Sequence, residues 1–182
     1  MPFNQAIRRL TALLACCAAL LAQLPDEARK AAATWLVKNC DEGEKGVLEA
    51  ILTKYKLQLE PVFLQALDQG PDAQQIAAEQ VEAARQFQMR QEALKTGKGL
   101  GLSEADLKAA RAVTSQQYLA QHQADFILRD RSQAVAGLGI VDGQQGKAAL
   151  RALAQDKNSP LQSSAQAALR RLEPPSGRAF RK

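Results

Sequence analysis

The heptapeptides SQAVAGL, at residues 132–138, and SSAQAAL, at residues 163–169, decide how this chain is interpreted. They are offset by 31 residues, and their serine, alanine and leucine positions stay in register. Self-similarity at such a period is typical of stacked helical units, because one unit cannot bury its apolar face alone. The sequence therefore predicts a repeat over residues 125–172 that stacks on the helices before it.

The composition favours helices over sheets. Of the 182 residues, 46% are apolar and 24% are charged, which indicates one globular domain with a sizeable core. Aromatic residues make up only 4%, alanine and leucine are abundant, and runs of valine, isoleucine and threonine are missing. We predict an all-α protein. The sequence contains no charge-free apolar stretch of about 18 residues, so we predict no transmembrane span.

The N-terminal segment, residues 1–22, has the three parts of a secretory signal. It contains no acidic residue, Arg8 and Arg9 precede an apolar run, and small residues end that run. We expect export to the bacterial periplasm or cell envelope, with cleavage after Ala19 or Ala22. Removal of the two arginines would lower the net charge from +5 to +3. The alternative is an alanine-rich first helix of a cytoplasmic protein.

The three cysteines are interpreted differently under these alternatives. LLAC, at residues 13–16, resembles the lipobox of bacterial lipoproteins, which would make Cys16 a lipidation site. Cleavage at Ala22 would instead leave only Cys40, so no intramolecular disulfide could form. Cys40 is then interpreted as a small buried residue rather than a nucleophile, because the only histidine, His122, is far away in sequence.

Residues 23–102 are predicted to form an N-terminal helical region. A helix runs from Pro25 to about Asn39, because a proline and two acidic residues suit its first turn. Trp35 is expected to be its core anchor. An interruption at residues 59–61 separates the next two helices. These further helices are predicted over about 47–58, 62–70 and 72–95.

The glycine-rich segment TGKGLGL, at residues 96–102, is predicted to be a flexible linker. A phosphate-binding loop needs a preceding strand, another glycine spacing and a Lys-Ser/Thr pair, and none of these is present. Ser103 then starts a helix as its N-cap, with Asp106 at the third position of a variant capping box. This helix is expected to run to about Gln123.

The sequence contains no pattern that indicates catalysis or cofactor binding. Asp41, Glu42 and Glu44 lack the spacing of a calcium loop. His122 lies in a polar run without a zinc-ligand pattern, so a solvated or capping role is expected for it. No nucleophile elbow and no distinct pair of carboxylates is found. We therefore predict no enzymatic activity, no metal and no cofactor.

Residues 146–172 resemble a HEAT-type repeat of the short, bilin-lyase-like kind. In that family a first helix ends near an aspartate, here Asp156, and a short turn leads to a second helix that contains arginine and closes with Ala-Leu, here Ala168-Leu169. Gln162 replaces the usual arginine. An upstream copy resembles the second half of the unit, with Asp125 in the aspartate position.

In this upstream copy Arg131 takes the arginine position, whereas Asp130 stands where the family has an apolar residue. The resemblance, which covers about residues 125–172, implies a short right-handed array of antiparallel helical hairpins. We predict a HEAT-like repeat region over 103–173. It also implies binding of a protein along a concave helical face. The missing arginine in the last copy and the prolines after it suggest a terminal repeat that caps the array.

The expected function is that of a non-catalytic interaction or scaffold module of the bacterial cell envelope, with an unidentified protein partner. The modest net charge argues against nucleic-acid binding. The alternative is a cytoplasmic helical adaptor that binds nucleic acid or anionic lipid through its basic ends. One of these ends would be the tail at 174–182, which we expect to be solvated.

Overall fold

The structure is a computed structural model, and it describes residues 24–37, 42–96, 101 and 103–173. Within these ranges the chain forms seven α-helices and no strand, which confirms the predicted all-α class. The signal segment 1–22, with Cys16, lies outside the described residues. The same holds for Cys40 and for the tail at 174–182.

The helices form two compact units. Unit 1 contains residues 24–68 and 130–173, and unit 2 contains residues 69–129. The seven helices are α1 (Asp26–Val37), α2 (Glu42–Gln69), α3 (Ala73–Thr96), α4 (Glu104–Ala112), α5 (Ser115–Val141), α6 (Gln144–Gln155) and α7 (Gln162–Leu172).

Helix α2 is interrupted, but earlier than the sequence predicted. The non-helical residue is Lys56, with φ 23° and ψ −109°, rather than residues 59–61. Pro61 lies inside the helix that resumes after Lys56. It has no N–H to donate to the carbonyl of Leu57, and its ring crowds that carbonyl. The distortion therefore falls one turn before the proline.

The predicted helix from Ser103 to about Gln123 is wrong in two respects. α4 ends at Ala112, and α5 begins at Ser115 and continues to Val141. A capping box starts α5. The N–H of Gln117 donates to Oγ1 of Thr114 at 3.2 Å, and the N–H of Thr114 donates to Oε1 of Gln117 at 3.0 Å. This reciprocal pair competes with continuous helix, so the chain breaks there.

All three helices that begin in unit 2 are capped by a side chain. The predicted cap at Ser103 is confirmed, because its Oγ accepts from the N–H of Asp106 at 3.2 Å. Asp72 and Gln75 form a further capping box at the start of α3, with both hydrogen bonds at 2.8 Å. Each cap satisfies N–H groups that a first helical turn leaves without partners.

The C-terminal part of α5 is the centre of unit 1. Of residues 134–141, all except the half-buried Ala136 are buried. A helix that is apolar on every side is typical of one surrounded by others. Trp35 of α1 donates from Nε1 to the carbonyl of Gln133 at 2.9 Å, and its ring belongs to the same core. The core position predicted for Trp35 is confirmed.

Two glycines of α5 allow neighbouring helices to approach closely. A Cβ atom on Gly137 would lie 2.5 Å from the ring of Phe63, which is fully buried on α2. A Cβ atom on Gly139 would lie 2.9 Å from the Cβ of Ala168 on α7. Real Cβ atoms do not tolerate such distances, so the packing of α5 against α2 and α7 requires glycine at both positions.

Unit 2 has a smaller core, which is built from side chains of three helices. Its buried apolar side chains include Ala83 and Leu94 of α3, Leu107 of α4 and Phe126 of α5. The guanidinium of Arg111 also donates to the carbonyl of Leu94 near the end of α3, at 2.8 and 3.2 Å. With so little apolar burial, the helix caps make up a larger share of the local stability in unit 2.

Candidate interaction surface

Two positions 31 residues apart make the same tertiary contact. Nη2 of Arg131 donates to the carbonyl of Asp68 at 3.1 Å, one residue before the end of α2. Nε2 of Gln162 donates to the carbonyl of Ala154 at 3.2 Å, one residue before the end of α6. Carbonyls in a last helical turn lack intrahelical partners. Arg131 and Gln162 therefore each satisfy the end of a neighbouring helix.

A second pair of equivalent positions also behaves alike. Asp142 and Glu173, again 31 residues apart, directly follow α5 and α7. Asp142 forms an ion pair with Lys147 at 2.7 Å, and Glu173 forms an ion pair with Arg151. Lys147 and Arg151 are one turn apart on α6. The acids that end both copies thus bind the same intervening helix.

The two copies differ in burial at two pairs of equivalent positions. Val135 is fully buried, but the equivalent residue of the last copy, Gln166, is exposed. Ile140 is buried, but its equivalent, Arg171, is exposed. The upstream copy is thus buried at two positions where the last copy has exposed polar side chains.

Arg171 joins α7 to α2. Its Nη1 and Nη2 donate to Oε1 and Oε2 of Glu49 at 3.1 and 2.8 Å. The hydrogen bonds from Arg171, followed by its charge, hold the pKa of Glu49 below its usual value. A bidentate, partly buried pair of this kind is the geometry in which a surface ion pair contributes to stability.

The first turn of α6 is capped from outside the helix. Gly143, the N-cap residue, provides no side-chain hydrogen bond, and the carboxylate of Glu60 accepts from the N–H of Gly146 at 2.6 Å instead. A Cβ atom on Gly143 would collide with that carboxylate. A helix N-terminus attracts anions, and here a carboxylate of the chain itself holds the position.

His122, for which the sequence suggested a solvated or capping role, lies in a partly buried seam between α3 and α5. Its Nδ1 is 3.6 Å from Oε1 of Glu79, and its ring centre is 4.8 Å from that of Tyr118. Tyr118 also contacts Phe87 at 5.3 Å between ring centres. Arg129 approaches Glu79 at 3.7 Å. These contacts join two helices of unit 2 and are structural in character.

No metal site is formed by the part of the chain that the structure describes, because no group of three or more His, Cys, Asp or Glu side chains is suitably placed. Gly101 is the one described glycine of the predicted linker, and its φ of 61° lies in the left-handed region. Cys16, the candidate lipidation site, cannot be placed here. None of the described helices is both long and apolar enough to span a bilayer.

The outer face of α3, defined here by Val81, Arg85 and Met89, is the surface on which exposed apolar side chains lie closest together in sequence. These residues follow one another at intervals of four and so share one side of the helix. Val81 is 73% exposed and Met89 is 49% exposed. Arg85 forms an ion pair with Glu82 at 2.8 Å, and this partner lowers the pKa of Glu82 to about 2.

Other large apolar side chains with substantial exposure are dispersed over both units: Val37, Val47, Leu57 and Leu128. Single exposed apolar residues are common on soluble proteins. Methionine and arginine are each more frequent in protein interfaces than on the rest of the protein surface. The outer face of α3 is therefore the better candidate for an interaction surface.

No protein-family model matches the sequence, and comparisons with curated proteins and with solved structures found no match.

Proposed function

We propose that the protein is a non-catalytic interaction module of the bacterial cell envelope, built as a short right-handed array of antiparallel helical hairpins that resembles HEAT-type repeats. The observation that carries this proposal is the equivalent contact of Arg131 and Gln162 with the ends of preceding helices. Chance similarity between two alanine-rich segments gives no reason for equivalent tertiary contacts, whereas a structural repeat requires them.

The direction of the contacts within each pair of helices supports the hairpins. On α2, Phe63 contacts Gly137, and the carbonyl of Asp68, further along, contacts Arg131. Residue numbers thus rise along α2 as they fall along α5. The same holds for α6 and α7. There Ala154 accepts from Gln162, whereas Arg151, one turn earlier, pairs with the later residue Glu173.

The contacts between the two copies support stacking of the hairpins. The hydroxyls of Ser132 on α5 and Ser164 on α7 are 3.4 Å apart. Further along both helices, Gly139 of α5 lies against Ala168 of α7. Residue numbers therefore rise in the same direction along α5 and α7. Second helices that run in the same direction are typical of consecutive hairpins in a helical array.

The partner-binding surface is assigned to the outer face of α3. Val81 and Met89 there are exposed apolar side chains beside a charged pair, a combination typical of interface residues. Replacement of both by glutamate should abolish partner binding. Val47→Glu on α2 is the matched control, because Val47 is 63% exposed and lies outside unit 2.

The test is crosslinking followed by mass spectrometry in intact bacteria. The wild-type protein and Val47→Glu should crosslink to the same envelope protein, and this crosslink should be lost in Val81→Glu/Met89→Glu. Recovery with cytoplasmic proteins only would overturn the envelope assignment. Steeply salt-dependent nucleic-acid binding would favour the alternative adaptor function through the basic ends.

A further inference from the structure

The sequence position of unit 2 is unusual for a helical array. Residues 69–129 separate two parts of unit 1, and the chain enters from α2 and returns along α5. The two flanking segments contact each other directly through the hydrogen bond between Arg131 and Asp68. Gln162 and Ala154 make the equivalent contact between α6 and α7, and only the short turn at residues 156–161 connects these two helices.

The helical ends on the N-terminal side of these two connections are also similar in sequence. LQALDQ, at residues 64–69, ends α2, and LRALAQ, at residues 150–155, ends α6. Four of the six residues are identical when the two helix ends are aligned. The same alignment places the two carbonyls that accept from Arg131 and Gln162 at equivalent positions.

We infer that the upstream repeat is a complete hairpin, formed by the second part of α2 and the C-terminal part of α5, and that unit 2 is inserted in place of its turn. The inference rests on the proposed array for the orientation of the hairpins, but it does not depend on the location or identity of the partner. Insertions at the turns of helical repeats often carry the binding function.

The two first helices are not identical in their packing. Leu150 is fully buried on α6, whereas the equivalent Leu64 is half-buried and its neighbour Phe63 takes the fully buried position. The packing face of α2 is therefore shifted by one residue relative to that of α6. The contact of the Phe63 ring with Gly137, where a larger residue would not fit, accounts for this shift.

The first test uses the full-length protein and exchanges the two side chains that donate to the carbonyls at the ends of α2 and α6. Hydrogen exchange is measured by mass spectrometry on Arg131→Gln, Arg131→Ala, Gln162→Arg and Gln162→Ala. Each alanine variant should reduce protection at the end of its preceding helix by roughly tenfold, because a helix-end carbonyl loses its donor. Each exchanged variant should keep most of the protection. Arg131→Gln behaving like Arg131→Ala would overturn the equivalence.

The second test asks whether unit 2 is a separate cooperative insertion. Leu107→Val reduces a buried contact in unit 2, and Leu150→Val is the matched change in unit 1. Leu107→Val should accelerate exchange over residues 73–129 and leave unit 1 unchanged, and Leu150→Val should do the opposite. Equal acceleration in both units would refute the insertion. A normal exchange pattern combined with no envelope crosslink would refute only the proposed function.

Discussion

Substitution of Gly137 by alanine tests whether the close packing of α5 on α2 organises unit 1. The new methyl group would lie 2.5 Å from the Phe63 ring, which is fully buried. Overpacking of this kind costs about 3 kcal/mol, and the better helix propensity of alanine offsets about 1 kcal/mol. We expect a net loss of about 2 kcal/mol in the free energy of unfolding.

Trp35 is the only tryptophan and lies in the same core, so its fluorescence in urea reports on unit 1. A loss of this size should lower the urea midpoint by roughly 1 M. Phe63→Leu should relieve the collision, with a coupling energy of about 1 kcal/mol in a double-mutant cycle. Gly46→Ala, with nothing within 4 Å of the new methyl group, should instead stabilise by about 0.5–1 kcal/mol. An unchanged midpoint in Gly137→Ala, or additive effects in the cycle, would refute the packing argument.

Three other substitutions test the polar contacts. Glu60→Ala should destabilise unit 1 by about 1–2 kcal/mol in the Trp35 assay, since the first turn of α6 loses its carboxylate cap; an effect below about 0.3 kcal/mol would mean that water replaces it. Thr114→Ala should cost about 1 kcal/mol and accelerate amide exchange at the start of α5, with the adjacent Ser115→Ala as control; equal effects of the two would argue against the capping box. Because Arg171 lowers the pKa of Glu49, the pair contributes stability at neutral pH that is lost as the pH falls below about 4.5 and through the folded pKa. Glu49→Gln should remove this part of the pH dependence of unfolding, and an unchanged pH profile would contradict it.

The features that depend on local chemistry could be predicted from the sequence. The helical class follows from alanine and leucine content, and the Ser103 cap from its spacing to Asp106. Trp35 could be placed in the core because buried aromatic side chains dominate small cores. The start of α5 was missed although Thr114 and Gln117 form a recognisable capping box, because the surrounding glutamines continue a helical pattern.

The features that depend on distant contacts were not predictable. The requirement for glycine at position 137 arises from the ring of Phe63, which is far away in sequence. The segment at 64–69, which we propose as the first half of the upstream repeat, was not found because residues 69–129 of unit 2 separate it from residues 132–138. A search for repeats of one fixed period cannot align halves that have such different spacing. The candidate surface on α3 required measured exposure, since Val81 and Met89 fit a helical pattern equally well when buried.

The long separation in sequence between the contacting parts of α2 and α5 affects the expected order of folding. The turn at residues 156–161 is about ten times shorter than the stretch from 69 to 129. For a flexible chain, a tenfold longer loop adds about 2 kcal/mol of closure entropy, so α6 and α7 should associate before α2 and α5. If unit 2 folds first, its structured ends replace that long flexible loop. During synthesis, residues 69–129 must be made before the C-terminal part of α5, and the apolar face of α2 around Phe63 is exposed to other chains meanwhile. If unit 2 is already folded when α5 emerges, α5 should cover this face sooner, because no long flexible loop then has to close.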